Sequence, residues 1–386
     1  MFNESIFHSK RFVLTRFVRA IDSGDPDPER PDIDSRGWAD SEHASIVGCM
    51  EGESIIVRIE RLKIDIGAAL FVTSSDTGVI TIETPDDGAV PAGDQEIKIN
   101  GVKGGNPKKA RVEVRFESTS GPIIHELVVH VYKKLTVDVT PHFITIDSAT
   151  ASGTAPIADL DSIMTLVRAI WKPAGVEINV GARRTKTVTF ATADIASDEP
   201  FPGEIGKLLS TKWPDNSANR VDDTINAYFI KQIGTGNTLG YGFSRASAKQ
   251  FGMPNPGIIL GDQAAGNPRG AVVHWANDLA HEIGHFFQLW HVGQKENPDE
   301  REDSFSNRNL MHVFNGMPNK TTWPAINRPA RVAREQARFD DYGYGMLPDG
   351  FSCRGCQVTI KELKDRKNDG QTKIARKTID SSKGPY

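Results

Sequence analysis

The amino-acid sequence predicts a multidomain chain in which an all-β sandwich is followed by an α/β layer. Three observations carry that expectation. The 386 residues exceed one small module and divide into two or three domains at about 150 residues each. From about residue 38 to 134, apolar and polar side chains alternate with a period of two, the pattern of half-buried strands. After Lys134, strand-like runs alternate with helix-like ones, the order that lays helices on a sheet.

Residues 1–37 form an N-terminal segment and an acidic, proline-rich linker. The segment MFNESIFHSKRFVLTRFVRAI holds aromatic and aliphatic side chains, but Lys10, Arg11, Arg16 and Arg19 interrupt it before the apolar core of a secretory signal can form. A strand or helix docked on the body is expected there, with a basic membrane-surface segment as the alternative. Residues 22–37 set Pro26, Pro28 and Pro31 among acidic side chains, a composition that favours extended backbone over burial. The sandwich is expected over 38–134, where SIIVRIE, GVITIE, QEIKIN, ARVEVRFE and IIHELVVHVY are separated by Gly, Pro, Asp and Asn.

Over 135–350, LTVDVTPHFITI, VEINVG, INAYFIKQI and GIILGD read as strands, and DLDSIMTLVRAIWKPAG reads as a helix ending near Pro173 and Gly175. Between 271 and 290, Val272, Trp275, Ala276, Leu279, Ile283, Phe286, Phe287 and Trp290 recur at steps of three and four. This spacing predicts a deeply buried helix, with Asn267 and Pro268 as its cap and first turn. RPARVAREQARF near 328–339 reads as a further helix. Residues 351–386 open with Cys353 and Cys356 in a C-x-x-C and become basic with few apolar groups from about 357, so a mobile tail is expected.

Composition excludes several function classes. Forty-six Lys and Arg against fifty Asp and Glu leave a net charge of −4, without the cationic excess that nucleic-acid binding draws on. No run approaches 18 apolar residues, so stable membrane insertion is not expected. Three cysteines allow at most one internal disulfide and exclude a disulfide-built scaffold.

The chemistry lies in the buried helix, which reads AHEIGHFFQLWH and carries His281, Glu282, His285 and His291. His281 and His285 are four residues apart, hence about 40° apart around the axis and one turn apart along it, so both imidazoles can reach one ion. Zinc held by three protein groups keeps a position open for water and makes that water acidic, and the adjacent Glu282 can take its proton. The same carboxylic acid can then pass the proton to a leaving amine. Burying two imidazoles and a carboxylate on an apolar helix needs compensation, which a metal supplies. In a straight helix His291 would lie about 9 Å beyond His285, so the helix must break between them if His291 is the third ligand.

At this point the sequence resembles the metzincin clan of zinc peptidases, whose pattern is H-E-x-x-H-x-x-G-x-x-H with a later methionine turn. HEIGHFFQLWH matches it at His281, Glu282, His285 and His291, and Met311 in NRNLMH matches the methionine beneath the metal. The resemblance implies a peptidase fold over about 135–345, zinc as cofactor, and a glycine-containing loop around Gly234, Gly236 and Gly240 leading into the edge strand that receives extended substrate. Gln288 stands where the clan has glycine, at an expected cost of about 1 to 2 kcal/mol for a left-handed conformation. Val313 stands where some members place a metal-linked tyrosine. A gluzincin-like alternative takes Glu296, Glu300 or Glu302 as third ligand but leaves Met311 unexplained. The stretch 38–134, with GDQEIKINGVKGG followed by ARVEVRF, is similar to bacterial immunoglobulin-like domains.

Other signals are given ordinary roles. Cys353 and Cys356 lack a second pair to complete a zinc site, so a local disulfide or plain thiols are expected. Cys49 is expected to be a small core residue rather than a thiolate masking the zinc. Asp299, Glu300, Glu302 and Asp303 show no calcium-loop spacing. His274, Tyr342 and Tyr344 are expected to be structural.

The resulting expectation is an all-β immunoglobulin-like sandwich followed by an α/β metzincin-like zinc peptidase domain, acting as an endopeptidase on protein or peptide substrates. Absence of a signal peptide beside a sandwich common in exported proteins suggests a leaderless secreted bacterial toxin or effector that uses an export apparatus, with a cytoplasmic enzyme as the alternative. The alternative of a different class is a non-catalytic binding or adhesion protein with a structural zinc domain.

Overall fold

A computed structural model describes residues 15–18, 38–40, 45–61, 69–85, 88–90, 95–147, 152–154, 159–190, 195–196, 201–234, 238–264, 267–268, 272–289 and 371–380. Two sheets face each other in the first part of the chain. One orders β1 (Thr15–Val18), β4 (Ser54–Arg61), β8 (Gln95–Gly101) and β6 (Ile80–Thr84). The other orders β2 (Trp38–Asp40), β3 (Ser45–Met50), β10 (Ile123–Tyr132), β9 (Lys108–Phe116), β5 (Leu70–Ser74) and β7 (Ala89–Val90).

Period-two alternation puts Val57, Ile59, Ile97 and Ile99 of the first sheet against Val112, Val114, Val129 and Val131 of the second, all buried in one core. The N-terminal segment adds β1 to the edge of β4. The sandwich is not wholly antiparallel: β3 runs parallel to β10, from Leu127 beside Ser45 to Tyr132 beside Met50. A parallel pair needs a long crossover, and here the whole run from β4 to β9 is that crossover.

The second part is built on a third sheet, ordered β12 (Ser152–Thr154), β11 (Leu135–Asp147), β16 (Ile225–Ile233), β18 (Gly257–Ala264) and β17 (Gly240–Phe243). Both β13 (Val176–Val180) and β14 (Arg184–Thr189) pair in parallel with β11, along its first and second halves. β15 (Ile195–Ala196) pairs with β16, and β19 (Asn267–Pro268) pairs antiparallel with β18. Asn267 and Pro268 therefore belong to a strand rather than capping the buried helix, which begins at Val272. The dipeptide has cap chemistry, but its pairing with Gln263 and Ala264 decides its conformation.

Five helices join the described sheets: α1 (Leu160–Trp171), α2 (Gly203–Leu208), α3 (Arg245–Gln250), α4 (Val272–Phe286) and α5 (Gln371–Ile379). Asp159 starts α1 by accepting from the Ser162 amide at 2.9 Å. The helix gives way to a 3-10 turn over Lys172–Ala174 and a left-handed Gly175, as Pro173 and Gly175 predict. Helices α1 and α4 cover one face of the third sheet, packing Val167, Trp171, Leu279 and Ile283 on Val139, Phe143, Phe229 and Leu260. Ile144, Ile146, Tyr228, Ile230 and Trp213 form a second core on the opposite face. Coverage of both faces explains why Val139 to Ile144 are buried without alternation. Among the described residues no helix is long and apolar enough to cross a membrane.

The expectation of a mobile tail is corrected at 371–380, where α5 docks. Ala375, Arg376 and Thr378 are buried. The Arg376 guanidinium donates to the carbonyls of Ala174, Gly175 and Lys133 at 3.0, 3.3 and 2.8 Å and to Asn106 Oδ1 at 3.2 Å. It also lies 5.1 Å from the centroid of the Tyr132 ring. A fan of carbonyls takes the place of the apolar partners that composition said were lacking.

His142 makes stability depend on pH. It is buried, stacks on Tyr228 at 4.5 Å and donates from Nε2 to Asn226 Oδ1 at 2.9 Å. The direction is fixed because the same oxygen accepts from the Val221 amide while the Asn226 amide nitrogen donates to Val221 and Thr224 carbonyls. Burial lowers its pKa from 6.5 to about 4, against the opposing bond to Asn226. The unfolded chain therefore binds the proton first as pH falls. The histidine's stabilising contribution is full above about pH 6.5 and disappears toward pH 4, a change on the order of 3 kcal/mol. Urea unfolding of the native chain and His142→Asn across this range checks it: the pH slope should flatten in the variant.

Candidate metal centre

Helix α4 has two unlike sides. Trp275, Ala276, Leu279, Ile283 and Phe286 enter the sheet core, Trp275 lying 5.7 Å from Phe229 between ring centroids. His281 and Glu282 are buried, and His285 is half-buried. The two histidine rings meet edge to face with centroids 4.7 Å apart, as a spacing of four along a helix dictates.

The helix then ends abruptly. Phe287 N–H still donates to Ile283, but Gln288 N–H donates to His285 and Leu289 N–H to Gly284, each at 2.9 Å. With Gln288 at φ 67°, these crossed bonds form a Schellman ending. Glycine is the usual residue at such a position, so glutamine carries a strain of about 1 kcal/mol, offset by the two satisfied carbonyls. The backbone thus leaves the helix axis directly after Phe287.

The same turn fixes an imidazole. His285 Nδ1 lies 2.8 Å from the Leu289 carbonyl oxygen, and since a carbonyl only accepts, Nδ1 carries the hydrogen and Nε2 keeps its lone pair. Burial lowers the His285 pKa to about 4, opposed by that backbone bond, so the ring is neutral near pH 7. A neutral imidazole with one nitrogen tied to a carbonyl is the form in which histidine binds metals. The donor set present fits zinc: two imidazoles on one helical face, with a carboxylate between them in sequence.

The edge strand lies tightly against this helix. In GYGF, Gly240 and Gly242 face α4 while Tyr241 and Phe243 belong to the core on the other side of the sheet. A Cβ on Gly240 would come within 2.6 Å of Glu282 Oε1, and one on Gly242 within 2.3 Å of the Glu282 carbonyl oxygen and 2.8 Å of His285 Cβ. Absent side chains let strand and helix approach this closely.

The structure thus brings the His281 and His285 rings together, with Glu282 next to His281 along the same helix. His291 and Met311 lie outside the described residues, as do Glu296, Asp299, Glu300, Glu302, Asp303, Val313, Tyr342, Tyr344, Cys353 and Cys356. Among the described residues no group of three or more metal-binding side chains is assembled. Cys49 is buried in the sandwich core, where burial pushes its thiol up to about 12, in keeping with a packing role. Sequence reading passed over Gly242, the Leu289 carbonyl and Thr378, whose hydroxyl donates to the Phe287 carbonyl at 3.1 Å. Glycines at alternate positions of a strand were a usable sign of the close helix; the other two contacts had no local sign.

No protein family and no curated protein matches the chain. Among solved structures, domains 4 and 5 of the S-layer protein SbsC are similar to 25% of the chain and to 50% of their own length, at 16% identity and a TM-score of 0.18. The chain thus spans half of that structure. SSP-19, an MSP-domain protein like family member in Caenorhabditis elegans, is similar over 22% of the chain and 94% of itself, at 18% identity and a TM-score of 0.16. A sialyltransferase from Photobacterium damsela is similar over 50% of the chain and 36% of itself, at 12% identity and a TM-score of 0.21. Likenesses this slight carry no argument about function.

Proposed function

We propose that this chain is a zinc-dependent endopeptidase of metzincin type, with His281, His285 and His291 as metal ligands and Met311 as the methionine of the clan's later turn. The observation that carries the reading is the Schellman turn at Gln288, which follows the H-E-x-x-H helix at the position where a third histidine six residues on needs the chain to bend. When bound, zinc supplies a polarising charge for the scissile carbonyl and an acidified water. Glu282 would serve as the general base and then as the general acid toward the leaving nitrogen. The Leu289 carbonyl holds the His285 ring in orientation. β17 closes one edge of the described sheet beside Glu282 and offers extended substrate a strand to pair with.

Replacing Glu282 by Gln keeps shape and removes the base. Zinc content by metal analysis should stay near one per chain while casein cleavage falls by at least a hundredfold. A variant that still cleaves at the native rate would exclude the mechanism. Native protein that binds zinc but cleaves nothing with or without a chelator favours the structural-zinc binding protein.

A further inference from the structure

A cavity of about 250 Å³ lies on the sheet face opposite α1 and α4, lined by His142, Arg184, Lys186, Trp213 and Ser217 among others. Parallel register sets Arg184 and Tyr228 on either side of His142, so the three side chains rise from one level of three adjacent strands. Arg184 spends one donor on the Ala218 carbonyl at 2.9 Å and has no carboxylate partner among the described residues. Lys186 is paired with Asp215 and donates to Ser217 Oγ at 3.0 Å. Asp215 is the one carboxylate of this group, so the charged side chains here sum to positive.

His142 supplies the second feature. Its side chain is almost wholly buried, and its Nε2 hydrogen is committed to Asn226. Nδ1 therefore keeps a lone pair and makes no bond among the described residues. A ligand suited to both features is an anion for the Arg184 fork that also carries a hydroxyl to donate to Nδ1. Hydrogen phosphate has both; sulfate at neutral pH has the charge but no hydroxyl.

We propose that this cavity binds a small hydroxyl-bearing oxyanion of the phosphate class, gripped by Arg184 and Lys186 and read by His142 Nδ1. The source is free phosphate, whose dianion keeps a hydroxyl near neutral pH where that of a monoester does not, and the site is separate from the proposed metal centre on α4. Isothermal titration of the full chain with inorganic phosphate, methyl phosphate and sulfate tests it at pH 7.5 and low ionic strength. One saturable phosphate site is expected, at least tenfold weaker in Arg184→Met and at least tenfold weaker for sulfate in the native chain. Methyl phosphate, whose dianion has no hydroxyl at this pH, is expected to bind as weakly as sulfate, and binding equal to that of phosphate overturns the role of His142 Nδ1. Absence of saturable binding, equal affinity for sulfate, or unchanged affinity in an Arg184→Met chain with native circular dichroism overturns the proposal.

Discussion

Gly242→Ala is expected to lower stability by about 3 kcal/mol, the upper part of the range for overpacking. Its new methyl would sit 2.3 Å from a backbone oxygen of α4 and 2.8 Å from His285 Cβ, and neither can rotate away. Either the edge strand separates from the sheet or the helix moves, and the second displaces the histidines. Gly240→Ala makes a useful contrast. There the methyl meets the side chain of Glu282, with Oε1 at 2.6 Å, and a side chain can rotate. Stability should fall by about 1 kcal/mol, and under the proposed function cleavage should be lost because Glu282 is turned aside. Urea titrations of both variants, read with casein cleavage and zinc content, separate the two effects. A Gly242→Ala protein as stable as the native one would mean that strand and helix do not approach as described.

Arg376→Met is the second large effect, expected at about 3 to 5 kcal/mol. Methionine fills the space yet removes the donor shared by the carbonyls of Ala174, Gly175 and Lys133, of which Gly175 keeps the Leu135 amide at 2.9 Å. Arg376→Lys should recover less than half of the loss, since an ammonium lacks the planar fork that reaches several acceptors at once. Chemical denaturation gives the free energies, and proteolysis of α5 under native conditions shows whether the helix has come away. Equal stability of the Met variant and the native chain would refute the clamp.

Those two sites also mark what the sequence disclosed and what it withheld. The sandwich and α4 were legible because their signals are local: alternate valines and isoleucines in 108–131, steps of three and four in 272–287. The bend after Phe287 was legible from chemistry, since two histidines six residues apart cannot share an ion along a straight helix. Its residue was legible only through the resemblance, which sets Gln288 where the clan has glycine; nothing in the glutamine itself announces a φ of 67°. The docking of α5 was hidden for another reason. Its arginine is buried by carbonyls 201 to 243 positions earlier in the chain, and composition within a window counts that side chain as solvated. Asn267 and Pro268 erred the opposite way, their local chemistry being overruled by a neighbouring strand.

Thr378 gives the described structure a timetable. Its hydroxyl serves the carbonyl at the bend from 91 positions later in the chain, so a ribosome has already extruded the histidine helix when the buttress for its final turn is still untranslated. Closing so wide a loop is entropically slow compared with winding a helix. A nascent chain therefore holds the last turn of α4 without its brace until synthesis has passed that threonine.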